Sequence, residues 1–576
     1  MVLRAILVPI TYDEASTFFR YINLGHYWPG DGLWDANNHI LNSFLSIWSY
    51  RLFGVDEVWL RLPNVLASLV YFFAAVGLTS LIENKRLKWV LLIALCCNHF
   101  VLEFFAVTRG YGLSMAFLLL SVFSVYNWSL KGSFVGLVVG LAAIQLATLS
   151  NLSLLVINLL LTLWVVVWLF VNIKTRIVAS LVAIGAALWC VKWFIELSFQ
   201  YKEKGLLYYG SGAGFWESTL GSLAEFGFPA VELVFPYFAT LLCLAILIAS
   251  MAYLFRVGID ERGLFSYLFF GALVAVVVMH HLLDVNYPED RVAMHFLVLA
   301  PTALVFLVDK LVSEASGPKL PLVLMASSVL LTLFPINTIL SANLTHVQLW
   351  KEDACAREFY FLIKQESIES ETTPTIAGYR LRDLPLYYYG FKHDRPVTVI
   401  QDIGYKGDEA DYQYAVLGED GMWDRYEKLN HNPESGITLV KRKQRKPELL
   451  WVEKTTPSKD LNSEPFTVFY ESDIDTMGGK DLLWEIELDM PRLEEPFQAW
   501  ITTDIGTPEG ESVMQETVVL DWLRPGWKEG DVLRQKILMP NIPNKASHIK
   551  LFFWNIDEKP IALGETRVKL IELKDN

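Results

Sequence analysis

The sequence is short of cysteine, of charge and of basic residues, and each shortage removes a class of protein. Only five cysteines occur in 576 residues. Cys96, Cys97, Cys190 and Cys243 lie in apolar runs, which leaves Cys355 alone in the polar C-terminal part. No disulfide framework or cysteine-rich metal site can be built there. Charged residues make up 19% of the chain against 53% hydrophobic ones, and the mean hydropathy is +0.35. An ordinary soluble multidomain protein is not that apolar. Lys and Arg number 48 against 62 Asp and Glu. Residues 1–345 are nearly balanced, at 19 basic against 20 acidic, so the remainder, at 29 against 42, holds almost all the excess acid. An acidic soluble part excludes nucleic acid as its partner, because phosphate recognition needs basic surface. The apolar runs show no alternating in–out pattern, which excludes a membrane β-barrel.

What is present is a series of apolar runs long enough to cross a bilayer. They are Leu62 to Ile82, Trp89 to Val107, Leu113 to Leu130, Phe134 to Leu149, Leu152 to Ile173, Ile177 to Ile195, Tyr237 to Phe255, Leu264 to His280, Ala293 to Val312 and Leu320 to Leu340. Helices are the only way to satisfy their backbone in lipid. The expected fold is a polytopic α-helical membrane protein of about ten or eleven transmembrane helices, followed by soluble domains. A shorter run, Ile40 to Phe53, reads as a helix lying along the membrane surface. The stub Val2 to Ile10 is too short to span, and reads as the remnant of a truncated first helix.

Basic residues set the orientation. Lys85, Arg86 and Lys88, then Lys131, Lys174 and Arg176, Arg256 and Arg262, and Lys310 and Lys319 fall in alternate connections. These are assigned to the cytoplasm. The segment before Leu62, the turn at Arg109, the loop from Leu197 to Phe235 and the segment Leu283 to Arg291 then lie outside, with everything after Ser341. The expected location is the plasma (inner) membrane, with the C-terminal domains extracytoplasmic.

Ionisable residues gather at these outer ends, where charge near membrane depth is costly and marks function by default. They are Asp13 and Glu14, His39, Arg61, Arg109 beside Tyr111, and Asp290 and Arg291 after Tyr287, with His295 one turn on. Taken singly, each has a plain reading: a solvated carboxylate, a cap neighbour, a snorkelling arginine or a local ion pair. Together, an acid pair and several arginines suit one task. A carboxylate takes the proton of an acceptor hydroxyl, and guanidinium groups hold a phosphate leaving group.

In these segments the chain resembles the GT-C superfamily of integral-membrane glycosyltransferases, in its protein-mannosyltransferase and aminoarabinose-transferase branch. The likeness is carried by YDEASTFFRY, ANNHILNSFLSIWSYRLFG, VWLRLPNVLASLVYF, VTRGYGLSMAF and YPEDRVAMHFLVLAP, in that order, across roughly Met1 to Leu340. The resemblance implies transfer of a sugar from a polyprenyl-phosphate donor to an acceptor on the outer face, with inversion at the anomeric carbon. It implies Asp13 as general base and Glu14 as a supporting carboxylate. Arg109 and Arg291 would bind the lipid phosphate, with Tyr111 and His39 lining the site. Arg61, Tyr287 and Asp290 complete the expected substrate-binding set. Where the family carries a proline-rich His motif, this chain reads Asn37-Asn38-His39. Some of these enzymes use a divalent metal, but no His, Asp and Glu cluster here has ligand spacing, so no metal is expected to be essential. The acceptor is a glycolipid, a polysaccharide or a protein side chain. The alternative is a multi-pass lipid or sugar transporter or flippase. Against it, the chain shows no internal repeat, and its charges sit at helix ends instead of near the midplane. A non-catalytic assembly protein would leave the acid–arginine set without a purpose.

After about Thr345 the pattern changes. Residues 346–446 alternate strands (Pro374 to Tyr379, Val397 to Asp402, Gln413 to Leu417, Gly436 to Val440) with helices (Leu349 to Lys364, Leu381 to Phe391, Met422 to Leu429). That predicts a small α/β domain with a largely parallel sheet. It contains no glycine-rich phosphate loop. Residues 447–576 hold about seven β-rich segments and predict a β-sandwich of jelly-roll plan. Trp500, Trp522, Trp527 and Trp554 could stack on sugar rings, although the reading of most of them as core residues has the greater weight.

Overall fold

A computed structural model describes residues 1–574 except 32, 172–176, 208, 257–259, 315–319, 371–372, 379–381, 400–409, 417–421, 445, 491–496, 525 and 529. The chain divides into two compact units. One comprises Met1–Leu7 with Arg20–Leu344, the other Val8–Phe19 with Thr345–Asn576.

The first unit is helical. Among the described residues, eight helices are long and apolar enough to cross a membrane: Glu57–Ser80, Gly110–Lys131, Leu152–Val171, Ile177–Glu203, Phe235–Phe255, Gly263–Leu283, Asp290–Ser313 and Pro321–Ser341. Phe134–Ser150 is a shorter apolar helix. The predicted run Trp89 to Val107 is broken into Lys85–Cys96 and His99–Phe104. Asn98 stops the first piece and starts the second, its side chain accepting the Val101 N–H at 3.4 Å. The helix Ile40–Phe53 has the bounds expected from sequence. Phe44, Trp48 and Leu52, spaced four apart, form an exposed apolar stripe along it.

The spans are built inside out relative to a water-soluble bundle. On Glu57–Ser80, Arg61, Asn64, Ser68 and Thr79 are buried, while Leu66, Leu69, Phe73 and Val76 are exposed. Phe235–Arg256 likewise exposes Leu241, Leu244, Ile248, Met251 and Phe255. Continuous apolar surface of this extent fits hydrocarbon as the surrounding solvent.

Near the start of Gly263–Leu283, an ionic network centred on the buried Arg262 and Asp309 ties the helices together. The Arg262 guanidinium reaches Glu83 Oε1 at 2.8 Å and Asp309 Oδ2 at 3.3 Å. The Asp309 carboxylate also accepts the backbone N–H groups of Glu83 (3.2 Å) and Asn84 (2.8 Å). Asp309→Ala would strip three donors of a fully buried partner. It is expected to cost about 3–5 kcal/mol of stability, seen as a lower unfolding temperature of the detergent-solubilised protein. An unchanged transition would show that the network does not hold the bundle.

The second unit contains two β modules. The first has strands β1 (Thr375–Gly378), β2 (Thr398–Val399), β3 (Tyr412–Val416), β4 (Tyr426–Asn432) and β5 (Ile437–Arg442), in the order β2-β1-β3-β5-β4. β1 pairs parallel with β2 and β3, but β5 runs antiparallel to β3 and β4. The sheet is therefore mixed where a largely parallel one was expected. The short connection that ends at Gly436 (φ 70°) can join only antiparallel neighbours. The helix expected over Met422 to Leu429 stops at Arg425 and gives way to β4, whose register is fixed by the β5 hairpin. Part of the expected strand Val397 to Asp402 lies outside the described residues, as do Lys174, Arg176 and Lys319.

The second module has strands β6 (Glu448–Thr456), β7 (Lys459–Asp460), β8 (Phe466–Asp473), β9 (Asp481–Asp489), β10 (Ala499–Gly506), β11 (Ser512–Val519), β12 (Val532–Met539), β13 (His548–Asn555), β14 (Ala562–Leu563) and β15 (Thr566–Leu573). Two four-stranded sheets, β11-β10-β13-β8 and β12-β9-β15-β6, are antiparallel throughout and pack as a sandwich. Trp484 fills their core, with Nε1 donating to Thr503 Oγ1 at 3.1 Å. Trp527 is buried with it. Trp500 and Trp554 are half-buried and meet edge to face at 5.1 Å across β10 and β13. Trp522 instead stacks on Phe19.

Candidate functional site

The RGYG turn organises the polar cluster of the first unit. Arg109 is extended and precedes the helix Gly110–Lys131, so the turn sits at the positive end of a 22-residue helix. Both glycines are required by close packing. A methyl group at Gly110 would overlap the Ser150 carbonyl oxygen and stand 2.7 Å from His39 Cβ. One at Gly112 would lie 2.5 Å from the Phe104 carbonyl oxygen. Asn64 supports the turn from below, accepting the Leu113 N–H at 3.1 Å and donating to Asn42 at 2.7 Å.

Tyr111, held between these glycines, hydrogen-bonds Arg291 Nε at 3.2 Å. Arg291 Nη1 donates to the Tyr209 hydroxyl at 2.9 Å, and that hydroxyl donates onward to Asp290. Asp290 itself lies 3.5 Å from Arg291 Nη1. Its φ of 38° is left-handed backbone, a conformation that Asp tolerates better than most residues. The Ser222 hydroxyl steadies it by accepting the Asp290 N–H at 2.7 Å. The result is a guanidinium cradled by two phenols and one carboxylate. Arg109, the second cation, donates to Asn37.

His39 is buried beside Tyr111, with ring centres 4.6 Å apart. Its Nδ1 lies 2.7 Å from the Ser150 carbonyl oxygen. That oxygen can only accept, so Nδ1 carries the proton. Burial, and next the neighbouring Arg109, hold the imidazole pKa well below its usual value. His39 is therefore neutral, and Nε2 is a buried acceptor with no hydrogen-bond partner among the described residues.

Of the residues expected from sequence, the structure thus gathers His39, Arg109, Tyr111, Asp290 and Arg291. Tyr287 pins the neighbouring loop through backbone pairing with Ser211, and its ring lies 4.2 Å from that of His280. Arg61 stands apart from this group. It is fully buried and donates to the Ala5 carbonyl at 3.1 Å, while Arg4 on the same stub reaches Glu103 at 2.7 Å. Tyr209, Ser222 and Ser150 join the cluster only in the structure. Tyr209 lies in the long outer loop from Leu197 to Phe235; its neighbour Tyr208 lies outside the described residues.

Asp13 and Glu14 belong to the second unit. They open the helix Tyr12–Thr17, which carries a complete capping box. Glu14 Oε2 accepts the Thr11 N–H at 3.0 Å, and Thr11 Oγ1 accepts the Glu14 N–H at 3.4 Å. Glu14 is fully buried, so its carboxylate shapes the segment. Asp13 is half-buried, and its carbonyl accepts the Thr17 hydroxyl at 2.9 Å. Among the described residues, no three His, Cys, Asp or Glu side chains form a metal-holding group.

The site's geometry yields one direct expectation. Gly110→Ala must push Ser150 and His39 away from Tyr111. A displacement of about 1 Å at such a centre costs roughly a hundredfold in rate. Any activity of this cluster should fall by that order while the protein still extracts and elutes as wild type. A fully active variant would remove the cluster from consideration.

No protein-family model matches the chain, and no curated protein sequence matches it. Among solved structures it is similar to ArnT from Cupriavidus metallidurans in the apo state, at 13% identity and a TM-score of 0.42, over 76% of this chain and 95% of that one. The form of ArnT bound to undecaprenyl phosphate aligns over the same shares at 12% identity, with a TM-score of 0.42. The arabinosyltransferase EmbB from Mycobacterium smegmatis aligns with 99% of this chain and 63% of its own length, at 10% identity and a TM-score of 0.36. Likeness at this level assigns neither an activity nor a substrate, and what the site does rests on its own residues.

Proposed function

We propose that this chain is a membrane glycosyltransferase that moves a sugar from a polyprenyl-phosphate donor to an acceptor hydroxyl on the outer face of the membrane. The observation that carries the reading is the Arg291 cluster. A buried guanidinium held rigid by Tyr111, Tyr209 and Asp290, together with a second at Arg109, is suited to a phosphate in a site of low dielectric. In this reading the acceptor oxygen attacks the anomeric carbon, and Asp13 takes its proton. The bond from that carbon to the phosphate oxygen breaks, and the lipid phosphate leaves with the electron pair. Arg109 and Arg291 stabilise the charge that develops on it. Attack opposite the leaving group inverts the anomeric centre.

His39 takes a different role from the arginines. A neutral imidazole that presents only an acceptor nitrogen repels a phosphate oxygen and receives a hydroxyl. Its place in this reading is against a sugar hydroxyl. The acceptor is a glycolipid, a polysaccharide or a protein side chain, and this reading has the domains after Ser341 extracytoplasmic.

The test is transfer by the purified protein from a panel of radiolabelled polyprenyl-phosphate sugars to a membrane extract. Label moving from one donor to an acceptor fraction is the expected result. No transfer from any donor, by protein that still binds polyprenyl phosphate, would favour a lipid carrier instead.

A further inference from the structure

The segment bearing Asp13 is built into the C-terminal unit, although it lies more than three hundred residues away in sequence. Hydrogen bonds from that unit grip its backbone. The Ile10 N–H donates to the Tyr389 hydroxyl at 3.0 Å. The Val8 carbonyl accepts from Arg357 Nη2 at 3.3 Å. The Tyr12 N–H donates to Asp353 Oδ2 at 2.7 Å. Aromatic packing closes the far end, where Phe18 meets Tyr388 and Phe391 edge to face at 5.5 and 5.2 Å, and Phe19 stacks on Trp522 at 5.3 Å.

Of these grips, the one from Asp353 is nearest to the acid. Tyr12 is the residue immediately before Asp13, and its N–H is among the groups that a helix start leaves without an intrahelical partner. Asp353 is buried, as a carboxylate is only for a strong reason. Its companion cation, Arg382, lies 3.9 Å from the other oxygen, Oδ1, and covers the Tyr12 ring at 4.9 Å. Arg382 thus touches both the clamp and the residue clamped. Burial pushes the Asp353 carboxyl up to about 7, against the pull of Arg382 and the Tyr12 N–H. This buried carboxylate costs the fold something.

We infer that Asp353 is a positioning residue for the transfer reaction: with Arg382 it fixes the backbone from which Asp13 acts, so the C-terminal unit sets the geometry of the base. The inference rests on the transferase reading above and adds what the second unit is for. A truncation after Ser341 would remove Asp353, Arg382, Tyr389 and Trp522 together, so point variants in the full chain are the proper test.

Asp353→Ala and Asp353→Asn are compared with wild type in three measurements: transfer kinetics, polyprenyl-phosphate binding, and amide hydrogen exchange of the peptide covering Tyr12–Thr17. In Asp353→Ala, exchange should quicken and kcat should fall at least about tenfold. Polyprenyl-phosphate affinity should stay within about threefold, because Arg109 and Arg291 are untouched. Asp353→Asn keeps an oxygen for the Tyr12 N–H, so it should recover most of kcat. The inference is overturned by an Ala variant with wild-type kcat, by joint loss of kcat and phosphate binding, or by an Asn variant no better than Ala. Wild-type protein that transfers no sugar sinks the transferase reading and this role with it. That failure is distinguishable, because the exchange measurement needs no substrate.

Discussion

Arg291→Ala is expected to abolish measurable transfer and to weaken polyprenyl-phosphate binding by roughly thirty- to several-thousandfold, corresponding to about 2–5 kcal/mol for a buried, hydrogen-bonded charge. The substitution deletes the donor to Tyr111 and to Tyr209 and leaves the Asp290 carboxylate without its cation. A site arranged for an anion would then present an uncompensated negative charge. Arg291→Lys separates charge from geometry. Lysine keeps the charge but not the planar fork that spans two phenols, so it should restore folding and leave most of the binding loss. Titration of each variant with polyprenyl phosphate in nanodiscs reads the effect. Wild-type affinity in Arg291→Ala would show that the cluster is a structural strut.

Asp13→Asn should lose about two to four orders of magnitude in kcat, the usual contribution of a positioned general base, with donor affinity preserved. The amide is nearly isosteric and cannot take the acceptor proton. Glu14→Gln should behave differently. Its carboxylate is consumed by the capping box, and a glutamine oxygen accepts the same Thr11 N–H, so kcat should stay near wild type. Single-turnover transfer at saturating donor separates the two. An Asp13→Asn enzyme that turns over normally would move the base elsewhere on the chain.

The two carboxylates show what a local motif can tell apart. Asp13 and Glu14 are adjacent and chemically alike, and from sequence both look like acids beside a membrane. The structure gives Glu14 to the Thr11 backbone and leaves Asp13 half-buried. Thr11 with Glu14 three residues on is itself a sequence signature of a helix start, so this distinction was within reach. Arg61 was not separable in the same way. Nothing local says that its guanidinium ends on the Ala5 carbonyl, and an arginine near a helix end looks the same whether it binds substrate or backbone.

By itself, the sequence determined the bundle, the helix Ile40–Phe53, the RGYG turn and the β-sandwich. Each is written in a periodicity or a local packing demand: twenty apolar residues for a span, alternation for a strand, glycine where a Cβ would collide. Only the tertiary structure decided which residues meet. Arg291 finds Tyr111 across 180 positions and Tyr209 across 82, and Tyr12 finds Asp353 across 341. Hydrogen bonds of that span leave no trace in any window of sequence, because they depend on how whole helices and sheets pack. For the same reason the segment Val8–Phe19 reads locally as a membrane-side loop and yet is folded into the C-terminal unit.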